Sequence, residues 1–387
     1  MTSDAWPPIE FESQTRTQFR IAVLMFAVVS LPPGLSGVDA DDLRDVLSAR
    51  QWDEVDAAVD RGLVYLAGQQ RADGAIAAPE TGQPGITSLA VMAFLSRGHV
   101  PEEGPYGTLL IRAIDFVRSC QRDDGLLSAV APEHQHVHDG GSHTGNYNHA
   151  ISALMLSEVY GMLSGQRAQE TRQTIDLAIR FSRAQQTKPR GNPNEQGGWR
   201  YLRPRQGWDA DISVSSWHLM FYRSAKNNGF DVPVEYVDDA MAYMRRGFDP
   251  RQKTFAYNLP GGAHLATRGV VGGAIVSLSL GGEHHTDIAK QAGDWILKQT
   301  FRKYNQGTGP YHYGAYYCSQ AMWQLGGEHW KQFFPPLAGT LLANQSENGS
   351  WNPENDNNGD YFGRTYTTSL AVLALTPANQ LLPIYQR

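Results

Sequence analysis

Gln69-Gln70-Arg71-Ala72-Asp73-Gly74-Ala75-Ile76 (QQRADGAI, residues 69–76) closes one helical pattern and leads into another. Before it, Val55–Gln70 carries Ala57, Leu63, Val64 and Leu66 as an apolar stripe at helical spacing. After it, Gly85–Arg97 is small and apolar almost throughout (SLAVMAFL), the mark of a buried helix. This unit of first helix, glycine-bearing turn and second helix returns along the whole chain. The first halves read Val55–Gln70, Gly107–Gln121, Glu170–Gln186, Val234–Arg246, Asp287–Gln299 and Pro335–Gln345. The second halves read Gly85–Arg97, Tyr147–Met162, Asp211–Lys226, Thr267–Leu280, Gly314–Leu325 and Arg364–Leu375. Units start roughly 50–65 residues apart, an internal period that signals a repeat architecture. One such pair cannot bury its apolar face alone, so the pairs must stack. Six helical hairpins close most naturally into a ring. The expected fold is an all-α, six-hairpin (α/α)6 toroid, with an inner ring of apolar helices inside an outer amphipathic ring.

Composition narrows the function classes. The chain has 387 residues, 41% of them hydrophobic, and 33 basic against 39 acidic residues for a net charge of -6. No block of Lys and Arg suggests nucleic acid, which is not expected as a partner. Because the repeat runs to the last residues, 41–387 read as one domain. Ahead of it, Arg16 and Arg20 precede the apolar run Ile21–Leu31, which Pro32-Pro33 ends. That run is too short to span a bilayer and suits a signal-peptide core, with cleavage after Ala40. An exported protein is the expectation, with no transmembrane segment left in the mature chain. If residues 21–31 are not a signal core, the protein is cytoplasmic. Cys120 and Cys318 lie in different repeats and read as two buried free thiols.

QQRADGAI, CQRDDGLL (120–127), the split QQ…GGW of Gln185–Trp199 and NQSENGSW (344–351) look like the Gln-Trp repeats of terpene cyclases. Residues 50–387 as a whole resemble the prenyltransferase and squalene-cyclase repeat superfamily, and the resemblance implies an α/α toroid. The stretch GGWRYLRPRQGWDADISVSSWHLM (197–220) is similar to the region of class II terpene cyclases where an aromatic strip leads into Asp-x-Asp-Asp-Thr-Ala. On that match Asp209 and Asp211 take the first two acidic positions, and the resemblance implies Asp211 as the proton donor. Ile212 replaces the next acid, and Ser213-Val214 stands where Thr-Ala would be. Alkene protonation needs a carboxyl kept neutral, which a second carboxylate and an apolar cavity both favour. Two other readings of Asp209 and Asp211 stay open: caps of the helix that follows, or contacts to a polar group of a ligand.

Aromatic residues cluster near the starts of the second helices: Tyr147, Trp208, Trp217, Tyr311, Tyr313, Tyr316, Tyr317, Tyr361 and Tyr366, with Trp199 just upstream. Aromatic faces stabilise cations, stack on sugars or simply pack. Arg200 and Arg364, also near helix starts, can hold an anionic group or pair at the surface. His149 reads as a base, a ligand contact or a core histidine. His134, His136 and His138 alternate ahead of Asp139 and His143, a density that can bind zinc or copper. Alternation in a glycine-rich loop fixes no geometry, so no metal site is expected there. The zinc site of protein prenyltransferases is lost as well. Cys318 keeps one position of that motif, but Tyr316 and Tyr366 stand where its Asp and His belong. No Cys is followed by the Glu-Gln of thioester domains.

The resemblance therefore implies a terpene cyclase-like protein that holds an isoprenoid or another apolar small molecule or lipid in the ring's centre, without a cofactor. Triterpene cyclases join two such helical domains; this chain has length for one. The alternatives are a non-catalytic exported module that binds a ligand or a protein, and a carbohydrate-active α/α barrel.

Overall fold

The computed structural model describes residues 43–203, 209–259, 266–304, 309–353 and 359–386. The signal-like segment 1–40 and Trp208 lie outside the described residues. Among the described residues, twelve α-helices alternate between two roles. The outer set is α1 (Ala49–Gly68), α3 (Gly107–Ser119), α5 (Gly165–Gln186), α7 (Val234–Arg246), α9 (Asp287–Leu297) and α11 (Gly327–Ala343). The inner set is α2 (Gly85–Leu95), α4 (Gly141–Tyr160), α6 (Ile212–Asn227), α8 (Arg268–Leu280), α10 (Tyr311–Leu325) and α12 (Gly359–Leu375).

Burial separates the two sets as the patterns require. In α1 only one stripe is buried: Val55, Ala58, Val59, Gly62, Leu63 and Leu66. Every residue of α2 is buried. Each inner helix packs on the next, and α12 packs back on α2, so the ring closes. Each outer helix covers the inner helix preceding it, with α1 on α12 where the two ends of the ring meet. These described residues form one compact unit. None of their helices is long and apolar enough to cross a membrane.

The repeated Gln is the ring's clasp. Gln70 donates from Nε2 to the carbonyl of its own turn, Gly74 (3.0 Å), and to Leu109 of the next outer helix (2.8 Å). Gln121 bonds Gly125 and Thr174, and Gln186 bonds Gly197 and Tyr236, in the same way. Gln345 bonds Gly349 and, at 2.8 Å, Ala58 of α1, closing the last repeat on the first. The turn glycine is forced. At Gly74 φ is +94°, and a Cβ there would lie 2.3 Å from the Arg112 carbonyl oxygen on α3.

Boundaries move where the apolar period was silent. Helix α4 begins at Gly141 rather than Tyr147, because the Glu133 carboxylate accepts from the Gly141 and Ser142 amides (3.1 and 2.7 Å) and starts it earlier. Helix α11 begins at Gly327, with Pro335 and Pro336 inside it rather than ahead of it. The fourth repeat lacks the Gln-Gly turn and has a two-stranded hairpin in its place, β1 (Phe248–Asp249) on β2 (Thr254–Phe255).

Candidate functional site

Because all six inner helices run the same way, their N-terminal ends gather at one end of the ring. A cavity of about 330 Å³ sits there, lined from the first turns of the inner helices and the segments leading into them. Ile86, Leu89, Ile151, Val270 and Leu370 supply its aliphatic wall; Tyr147, Trp217, Tyr313, Phe362 and Tyr366 supply its aromatic wall. Tyr201 and Tyr257 complete it toward α6. The opposite end is shut by the C-terminal segment, which buries Ala378, Leu382, Ile384 and Tyr385. Gln324 Nε2 donates to the Tyr385 carbonyl (2.8 Å), and Asn379 Nδ2 to that of Ser96 (3.1 Å). The cavity is a cup with a floor.

Two polar clusters face the cup. In the first, Tyr147 donates to Ser213 Oγ (3.0 Å), Ser213 Oγ lies 2.7 Å from the Tyr313 hydroxyl, and Trp217 Nε1 donates to that hydroxyl (3.1 Å). In the second, the hydroxyls of Tyr201 and Tyr257 are 3.0 Å apart, and Tyr257 donates to Asp211 Oδ2 (3.2 Å). Asp211 Oδ1 accepts from the Val214 amide (2.8 Å), so Asp211 is the N-cap of α6. Its side chain is fully buried behind Tyr257. Burial pushes its carboxyl pKa up; the Arg200 charge and the bonds from Val214 and Tyr257 pull against that without cancelling it. Arg200, itself 4% exposed, lies over the rings of Tyr201 and Tyr257.

The aspartates do not form a pair. Asp209 accepts from the Gly191 amide (3.0 Å) and borders a separate polar groove with Lys188, Arg190 and Arg203. Each carboxylate is claimed by a different backbone amide, which parts them.

Repetition shows what each position must do. The first residue past the turn donates its amide to a side chain on the inner helix: Ile76 to Thr87, Leu127 to His149, Trp199 to Ser215, Trp351 to Thr368. His149, expected near the mouth, is therefore the second repeat's version of a threonine. It lies outside the cavity lining, held between Leu127 and Ser182, and burial lowers its pKa to about 3. Four residues before these acceptors stand Gln83, Gly145, Asp211 and Arg364. The fold accepts any of these residues there, so it does not demand an aspartate at 211.

Of the other expected ligand contacts, Tyr147, Trp217, Tyr313 and Tyr366 line the cavity. Trp199 instead stacks on His218 (4.6 Å), with Nε1 on the Ser182 carbonyl. Tyr311 bonds the Phe301 carbonyl (3.1 Å), and Tyr316 bonds Tyr385 at the floor. Tyr317 is buried against Trp217. Tyr361 and Arg364 are exposed; Tyr361 bonds Thr81 (2.8 Å) and Arg364 bonds Ser350 (2.9 Å). For Tyr311, Tyr316 and Tyr317, position along the helix suggested the mouth, but helical phase turned them away. Sequence reasoning missed Tyr201, Ser213, Tyr257 and Phe362. Only Tyr257, just past the hairpin that replaces the fourth Gln-Gly turn, had a signal: the break in the repeat.

No protein-family model and no curated protein matches the sequence. Solved structures do. Type II terpene cyclase MstE from Scytonema, in its apo form, is 16% identical with a TM-score of 0.55, over 85% of this chain and 100% of that one. An Asp-to-Ala variant of that cyclase in complex with merosterolic acid A is 17% identical (TM-score 0.56), over 87% of this chain and 100% of that one. A wild-type glycosidase is 11% identical with a TM-score of 0.58 over the same shares. This chain is an α/α toroid. The toroid is what the sequence resemblance implied; the matched structures include both a cyclase and a glycosidase, so fold alone carries neither activity.

Proposed function

We propose that this toroid is a terpene cyclase-like protein that takes an isoprenoid, or a similarly apolar ligand, into the cup at the N-terminal end of its inner ring. The observation that carries the reading is the cup's wall of five aliphatic and several aromatic side chains, with a buried acid one hydroxyl behind it. At about 330 Å³ the cup is at the small end of ligand sites, roughly 300–1,000 Å³. Aromatic faces around it suit a ligand that becomes positively charged.

In the catalytic form of the proposal, Asp211 is the acid. With Asp211 protonated the bond to Tyr257 runs the other way: the acid donates its proton to the Tyr257 oxygen as that hydroxyl, turned toward the cup, gives its own to an alkene carbon. A C–H bond forms, the alkene π pair is consumed, the ligand becomes a carbocation and Asp211 a carboxylate. Loss of a proton from the rearranged cation, back along the same path, restores the acid. The upward push of burial on Asp211 keeps the starting form available.

Carbohydrate hydrolysis fits less well. It needs two carboxylates roughly 5–9.5 Å apart across the bond, and among the described lining residues the one carboxylate is Asp139. The test is incubation of the full chain with acyclic isoprenoids of increasing length, with products analysed by mass spectrometry. Cyclised or isomerised product from wild type, lost in Asp211→Asn, is expected. Binding without product would leave a non-catalytic carrier. Neither binding nor product at any length would sink the proposal.

A further inference from the structure

The loop before α4 and the first turn of α4 run along the rim of the cup and bring together residues that the cavity reading does not use. His138, Asp139 and His143 each present one ligand-type atom, and the three atoms lie within 4.8 Å of one another. All three residues also line the cavity. His138 Nδ1 is 2.7 Å from Asp139 Oδ2, and the His143 ring packs on Tyr201 at 4.1 Å. Of the alternating histidines of the sequence, His138 thus acquires a geometry that alternation alone did not give it, with Asp139 and His143 as its neighbours.

We propose that His138, Asp139 and His143 form a three-ligand site for a divalent transition metal of the zinc class, its open coordination position facing the cup. Two imidazoles and a carboxylate are the donor set that such borderline cations prefer. Ligands at about 2.0–2.2 Å from a tetrahedral ion stand roughly 3.3–3.6 Å apart. The widest of the three spacings, within 4.8 Å, closes to that by at most about 1.5 Å, while the His138–Asp139 pair at 2.7 Å opens by roughly 0.6–0.9 Å; His138, exposed at the rim, is the side chain placed to move.

The scaffold is held independently of any ion. Asp139 sits in the left-handed region at φ +59°, at a turn where the Val137 amide bonds Ser142 Oγ (2.9 Å). Glu133 clamps the start of α4 through two amides. Those bonds outweigh its burial and hold its carboxyl at about 2. That clamp bears on the metal directly. A bare helix N-terminus repels a cation, but an ionised carboxylate on its first amides offsets the dipole. Asp139 adds a carboxylate of its own beside the two imidazoles.

Three protein ligands leave a position for a fourth. Because the ligands line the cup, that position meets the polar end of whatever occupies it: a carboxylate, phosphate or phenolate head on an apolar body. This role rests on the cavity reading above; uptake of the metal does not.

The test therefore uses metal alone. The full chain, stripped with a chelator, is titrated with Co²⁺ read by its visible absorption, and with Zn²⁺ in competition with a chromogenic chelator. One saturable equivalent is expected. His143→Ala and Asp139→Asn should each weaken uptake more than tenfold, at least the loss that removal of an outer-shell partner brings. His285→Ala, away from the rim loop in sequence, should leave it unchanged. Asp139→Asn preserves side-chain size and so decides the matter if His143→Ala does not fold. No saturable uptake, or equal uptake by wild type and Asp139→Asn, would overturn the proposal, whatever the outcome with isoprenoids.

Discussion

Helix α4 has a glutamate at each end, and the two are driven in opposite directions. At its start Glu133 accepts two backbone amides, and its carboxyl falls to about 2. In its last turn Glu158 is buried at the floor; burial lifts it to about 7, although Ser224 and the Ile384 amide donate to it. Six inner helices repeat this polarity, with positive ends at the mouth and negative ends at the floor. At the mouth, carboxylates such as Glu133 and Asp211 already sit on first-turn amides and offset the positive ends, and the cup stays open. The floor disfavours charge, and the C-terminal segment seals it with Leu382, Ile384 and Tyr385. One ring thus makes a binding end and a structural end from the same helices.

The largest expected effect comes from breaking the floor. Tyr385→Ala removes a buried ring and its bonds to Tyr316 and Met220, and should cost about 3–5 kcal/mol in denaturant unfolding. A loss under about 1 kcal/mol would mean the segment is not a seal.

Next is the pH response of Glu158. Its folded pKa, about 7, lies above the ordinary 4.5, so the native state holds this proton more tightly. The stability it contributes is fully present below about pH 4.5 and is lost as pH rises through about 7. At about 1.4 kcal/mol per unit, the stability of wild type relative to Glu158→Gln should fall by roughly 3 kcal/mol between pH 4.5 and 8.5. Parallel pH profiles would show that the floor does not disfavour charge.

At the mouth, effects on stability are smaller. Asp211→Ala removes the cap of α6 and takes away the carboxylate whose charge acts most strongly on the buried Arg200, for about 2 kcal/mol. Asp211→Asn keeps the cap and should cost less. If both variants cost the same, the cap is not what Asp211 contributes. Glu133→Gln should cost about 1 kcal/mol, the size of a lost helix cap. Thermal unfolding resolves all three.

The ring was legible because four of the six repeats carry the same clasp and all six pair an outer with an inner helix. A Gln bridges two outer helices, a glycine turns where no Cβ fits, and an all-apolar helix lies inside. The cup was only partly legible. Tyr147, Trp217, Tyr313 and Tyr366 were found because nearness to a helix start is visible in sequence. Tyr311, Tyr316 and Tyr317 belong to the same run, and only helical phase tells which residue of YHYGAYY faces inward. His149 misled because its role is defined by Thr87, Ser215 and Thr368, and without a common register those positions do not align. Asp209 and Asp211 looked like a pair until Gly191 and Val214 were seen to claim them separately. Tyr257 could not be placed beside Asp211, since a hairpin in the next repeat delivers it.

The central claim is that the mouth end holds an apolar ligand, and isothermal titration of wild type and Ile86→Trp with a series of acyclic isoprenoids tests it most directly. Ile86 lies in the cup's wall, and an indole there fills space while the floor is untouched. Saturable binding by wild type, lost in Ile86→Trp at unchanged unfolding stability, is the predicted result. Equal binding by both proteins would place the ligand elsewhere and contradict the account.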